Sequence, residues 1–164
     1  MKSLKGTKQS PLFLNLYFTI YVLLIVISYV AYVVLDNMRL SHSALFLSGK
    51  QVTQTDVQYI DRIGQWTSIF EASFFFLFLI SLFILLLLSK SNFEKFIVFL
   101  TANVVLIIGI GIIGFIFSFF ISSPVGNLLQ PIFLPLILIS CLFVYLFWKK
   151  RREKKIFKIQ NRHQ

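Results

Sequence analysis

The sequence predicts an all-α integral membrane protein, a bundle of four transmembrane helices with both termini in the cytoplasm and a short helical outer loop between the first two. Three observations carry this expectation. Of the 164 residues, 57% are hydrophobic and 13% charged, and the mean hydropathy is +0.83. Soluble domains hold roughly 45–50% apolar residues and about 25% charge, and a small one keeps too much of its surface in water to hide this much hydrocarbon. The apolar residues also fall into four long runs, and the basic residues are distributed unevenly around them.

The four runs cover residues 12–35, 66–88, 96–121 and 128–148. Each reaches the ~20 residues a helix needs to cross the hydrocarbon. Each must be helical, because lipid offers no partner for an open backbone group. The first is too long for a cleaved leader, and no small-residue cleavage pattern follows it, so it is expected to be retained. The expected organisation is one membrane domain over residues 1–148 and a basic tail over 149–164.

Direction follows from the connections. Lys2, Lys5 and Lys8 precede the first run, Lys90 and Lys95 lie between the second and third, and eight basic residues follow the fourth. That places thirteen of the sixteen on one side, against Arg39, Lys50 and Arg62 in segment 36–65. The positive-inside bias then puts both termini in the cytoplasm and segment 36–65 outside. Trp66 and Trp148 sit at span boundaries, where aromatic anchors belong. Pro131 is expected in the first turn of the fourth span, where a missing N–H costs little, and Pro135 is expected to kink the helix.

Segment 36–65 reads as two short pieces lying against the outer surface, separated by the turn SGKQ, with Thr53 or Thr55 capping the second. Ionisable groups near the membrane are functional candidates by default. Asp36, Arg39, Asp61, Arg62 and Glu71 map to one outer rim, where Glu71 is expected to pair with Arg39 or Arg62. The alternative reading of Glu71 is a carboxylate serving a proton- or cation-linked step. His42 with Asp36, Asp61 or Glu71 is the material for acid–base chemistry outside the membrane, and nothing in the spacing aligns a nucleophile with it. His42 and His163 fall on opposite sides of the membrane, so no metal site and no cofactor is expected. Cys141 is the only cysteine and reads as a small apolar side chain.

In the third span Asn103, Gly111, Gly114 and Ser118 fall on one helical face, and Gly114 with Ser118 forms a small-xxx-small pair. The expectation is a helix-packing stripe, within the bundle or in a dimer. The cluster Lys149, Lys150, Arg151, Arg152, Lys154 and Lys155 directly follows a span. It therefore points to anionic lipid on the cytoplasmic side rather than to nucleic acid.

In span number and in its longer first outer loop the arrangement resembles the lipoprotein intramolecular transacylases of Gram-positive bacteria. The resemblance implies chemistry on extracellular histidines, where this chain has His42 and the second turn SSPVGN carries none. It is similar also to small multidrug exporters in having four spans and a membrane glutamate, but theirs lies in the first helix, whereas Glu71 lies in the second. The functional expectation is an accessory, interaction or immunity-type protein of a bacterial cytoplasmic membrane, without catalytic machinery. Its partner would be another membrane protein or a second copy. A small transporter or channel subunit using Glu71 is the first alternative, and a membrane-embedded acyl-transfer enzyme using His42 the second.

Overall fold

A computed structural model of the chain describes residues 11–48, 51–89, 93–121 and 123–160. They form four helices: α1 (Pro11–Leu47), α2 (Gln54–Ser89), α3 (Phe93–Phe117) and α4 (Val125–Gln160). All four are long and apolar enough to cross a membrane. The N-terminal and interhelical lysines Lys2, Lys5, Lys8, Lys50 and Lys90 lie outside the described residues, as does His163. The side chains of Lys95 and of the tail from Lys149 onward are likewise not described.

The helices run up, down, up and down, which follows from the residues that meet. Tyr21 of α1 reaches Asn103 of α3, and further along α1 Tyr29 lies against Gly114, so α1 and α3 run the same way. On α1 and α2, Tyr29 meets Phe74 while His42 meets Tyr59, so that pair is antiparallel. The most extensive packing lies within the α1–α2 and α3–α4 hairpins. We call the end that carries both hairpin connections the hairpin end.

Composition alone does not mark an inner face, because each helix is apolar nearly all round. What is buried is a column of large side chains: Tyr21, Ile25 and Tyr29 of α1, Phe74 and Phe78 of α2, Phe99, Leu100 and Ile107 of α3, and Ile132 and Ile139 of α4. Aromatic edges lock part of it, as where Phe18 meets Phe99 at 5.3 Å and 75°. The outward faces are as apolar as the core. Phe83, Val98, Val105 and Val144 are each more than 60% exposed. Such a continuous apolar surface is a liability in water and a solvent match in lipid.

Segment 36–65 departs from the expected pair of surface-lying pieces. α1 continues unbroken to Leu47, and α2 begins at Gln54. No proline or glycine interrupts the stretch from Asp36 to Leu47. The hydroxyls of Ser41 and Ser43 do not compete with the helix but donate to the carbonyls of Asn37 and Arg39, one turn back. At the start of α2, Thr53 and Asp56 form a reciprocal cap: Thr53 N donates to the Asp56 carboxylate at 3.0 Å and Asp56 N to the Thr53 hydroxyl at 3.3 Å. The hairpin therefore runs on for roughly 16 Å beyond Asp36, at about 1.5 Å per residue. The short α3–α4 turn, by contrast, closes at the level of Asp36 and Asn127.

The position of Pro131 also differs from expectation. α4 starts at Val125, so Pro131 lies seven residues in, past the first turn, and its missing N–H is a real gap in the ladder.

Candidate polar site at the hairpin end

Along the inner face of α1, Tyr29, Tyr32, Asp36 and Arg39 follow one another at spacings of three and four residues and so stack on one side of the helix. All of them except Arg39 are buried, Asp36 completely (0% exposed). Isolated, a carboxylate at such a place would be very costly. Both of its oxygens are used. Arg39 Nη2 donates to Oδ1 at 2.6 Å, and Asn127 Nδ2, from the first turn of α4, donates to Oδ2 at 3.2 Å. The start of α4 is itself the positive end of a helix dipole, which favours a carboxylate there. The stem of Arg39 passes Gly64 of α2, and its Nε is buried without an acceptor.

One of the two tyrosines answers a defect in α4. Proline has no N–H, so Pro131 leaves the carbonyl four residues earlier, on Asn127, without its helical donor. Tyr32 supplies one, its hydroxyl donating to Asn127 O at 2.7 Å. Tyr29 donates to the neighbouring Leu128 O at 3.1 Å. In a water-poor setting an unsatisfied carbonyl would cost several kcal/mol, so the tyrosines hold the start of α4 against α1.

Glu71 does not meet an arginine. It is half-buried and accepts from Gln130 Nε2 of α4 at 2.9 Å, while Arg39 is taken by Asp36. Asp61 and Arg62 are both exposed, and Asp61 accepts from Gln65 at 3.1 Å, one turn on along α2. Of the five rim residues, Asp36 and Arg39 are brought into contact, Glu71 joins them through α4, and Asp61 and Arg62 face away. His42 lies on the projecting part of the hairpin with its ring edge-on to Tyr59, centroids 4.9 Å apart at 72°. The hydroxyls of the adjacent Ser41 and Ser43 donate to their own helix, an arrangement that does not present a nucleophile to the imidazole. Among the described residues no group of three His, Cys, Asp or Glu side chains could hold a metal ion, and Cys141 is exposed on the apolar surface.

A second polar contact lies deeper in the bundle. Tyr21 donates to Asn103 Oδ1 at 2.6 Å, and Asn103 Nδ2 donates to Phe99 O at 3.0 Å, so both ends of the buried amide are used. Tyr21→Phe is expected to leave Asn103 Oδ1 empty and lower stability by about 1 kcal/mol, a typical value for a hydrogen bond between membrane helices. Thermal unfolding in detergent would measure this; no shift in the midpoint would remove the contact from the stabilising set. Gly114 faces Tyr29 and Leu128, Gly111 faces Leu129 and Ile132, and Ser118 ends α3 by donating to Phe115 O at 2.6 Å. Asn103, Gly111 and Gly114 thus meet helices of the same chain.

The tyrosine stripe of α1 is absent from the expectations above, although its signal was present. Tyr21, Ser28, Tyr29, Tyr32, Asp36 and Arg39 share one helical face in a run that is otherwise aliphatic. What concealed it is that tyrosine counts as an apolar residue in a hydropathy pattern, while its hydroxyl becomes decisive only beside an acceptor.

These features define the class: a helical protein with four helices long and apolar enough to cross a membrane, tied together at one end by a polar clasp. No protein-family model, curated protein or solved structure matches the chain.

Proposed function

We propose that the chain is a non-catalytic accessory or immunity-type protein of a bacterial cytoplasmic membrane, with both termini inside, acting through contacts of its projecting α1–α2 hairpin. The positive-inside bias supports the orientation, and the tail cations then face anionic lipid. The observation that carries the reading is the hairpin itself. It runs on past the rest of the bundle and presents Leu45, Val57 and Tyr59, each more than 40% exposed, while the carboxylates beneath it are engaged with neighbours. A projecting helical pair with apolar side chains and little net charge suits a protein surface better than a small charged substrate.

A photo-crosslinking residue at Val57 or Tyr59, activated in native membranes, tests this directly. A discrete protein adduct is expected, and adducts to lipid alone would defeat the reading. Glu71→Gln, below the projecting part of the hairpin, should leave adduct formation unchanged. Orientation is tested in a Cys141→Ala chain: Thr55→Cys should react with an impermeant maleimide on intact cells, and Gln164→Cys only after permeabilisation.

One observation favours a second reading, a small transporter or channel subunit. Glu71 is partnered by the neutral Gln130 rather than by Arg39 or Arg62, so no ion pair with those arginines occupies its carboxylate. Loss of a proton-coupled flux in Glu71→Gln, with the bundle intact, would move the assignment there.

A further inference from the structure

Four side chains from α1 and α2 converge on three residues of α4. Tyr32 and Tyr29 donate to the carbonyls of Asn127 and Leu128, Asp36 accepts from Asn127, and Glu71 accepts from Gln130. The segment they hold, residues 125–130, lies between the helix start and Pro131. Pro131 interrupts the backbone ladder there, and Pro135 interrupts it again one turn on. This stretch is therefore tied less to its own helix than an ordinary turn would be, and more to its neighbours.

We propose that residues 125–130 form a strap, hinged at Pro131 and latched to α1 by the Tyr32 hydroxyl standing in for the amide hydrogen that Pro131 lacks. Closed, the strap satisfies Asn127 O where water is scarce. Open, that carbonyl must find water, so the strap swings toward the hairpin end, where its own start and the α3–α4 turn already lie. Its other tyrosine latch, Tyr29, is also a wall of a crevice of about 240 Å³ between α1 and α3, lined further by Val33, Asn37, Ile113 and Phe117. Opening the strap frees the Tyr29 hydroxyl at the edge of that crevice.

The test rests on a chemical substitution that a merely bulky contact would not obey. Spin labels are placed on Gly126→Cys, where an added side chain meets nothing within 4 Å, and on the exposed Gln58→Cys of α2, in a Cys141→Ala chain reconstituted into bilayers. The parent should give one narrow distance. Tyr32→Phe should add a second population offset from the parent's by roughly 5 Å, the length of one helical turn. Adding Pro131→Ala should remove that population, because alanine returns the missing N–H to Asn127 O. A Tyr32→Phe distribution identical to the parent's overturns the proposal, and so does a broadening that persists in the double variant. If Tyr32→Phe alone yields no folded protein, recovery by Pro131→Ala supports the latch and failure to recover overturns it.

Discussion

Asp36→Leu should lower the folded yield in detergent, with a loss of about 1–3 kcal/mol, the cost of leaving hydrogen-bond donors without their acceptor, because the Arg39 side chain is 37% exposed and meets water in part. The carboxylate is fully buried and accepts from Arg39 and Asn127. Its removal leaves Arg39, whose Nε already lacks an acceptor, with no counter-charge, and leaves Asn127 Nδ2 empty. Against a typical total stability of about 5–15 kcal/mol, that loss is large. The double variant Asp36→Leu/Arg39→Leu should recover much of it, since removing both charges avoids the uncompensated one. Asp61→Leu is the control: Asp61 is exposed and bonded within its own helix, so its change should stay within about 0.5 kcal/mol. The measurement is thermal unfolding of the purified protein followed by size-exclusion chromatography. An Asp36→Leu chain that melts with the parent would show that the ion pair does not hold the clasp.

The second large effect is expected at Gly114. A Cβ there would collide with the Tyr29 hydroxyl and meet Leu128 Cβ at 3.8 Å. The hydroxyl cannot retreat freely, because the ring is buried against Phe74 and the O–H is committed to Leu128 O. Gly114→Ala should therefore cost about 1–3 kcal/mol from overpacking, plus about 1 kcal/mol for the displaced hydrogen bond. Gly114→Leu should not fold. Gly111→Ala is the contrast, since a Cβ there makes ordinary contact at 3.8 Å with Leu129 and Ile132. Tyr29→Phe should rescue part of the Gly114→Ala loss, because the colliding atom is then gone. Equal melting of Gly111→Ala and Gly114→Ala would refute the assignment. The same geometry bears on partner mapping. Bulk introduced at Gly114 disturbs the chain's own packing, so loss of a partner in that variant says nothing about a docking face.

How much of this was legible follows residue type. The four helices were, because a run of ~20 apolar residues carries one strong signal that no local detail overrides. The cap of α2 was legible only as a choice between Thr53 and Thr55; the structure has Thr53, with Asp56 three residues on as its partner. The length of α1 was not. The drop in hydropathy after Leu35 suggested that the span ended, but the helix runs on to Leu47. Hydropathy reports where lipid stops, whereas helix termination depends on capping and on glycine or proline. Glu71 shows the limit for ion pairs: charge alone pointed to an arginine, yet the geometry offered Gln130, and Arg39 had a nearer carboxylate one turn away on its own helix.

The sequence by itself determined that this chain has four apolar helices and which few polar side chains they carry, because those properties depend on neighbours within a turn or a run. Only the tertiary structure decided what those side chains do. Tyr32 is an apolar-looking residue until Pro131, 99 positions away, leaves a carbonyl beside it. Asp36 is a rim charge until α4 begins against it. Gly114 is one small residue among several until the Tyr29 hydroxyl fills the space it leaves. Each of these roles depends on an acceptor, a donor or a void supplied by another helix, and helices that are apolar on every side carry no pattern that announces which neighbour will supply it.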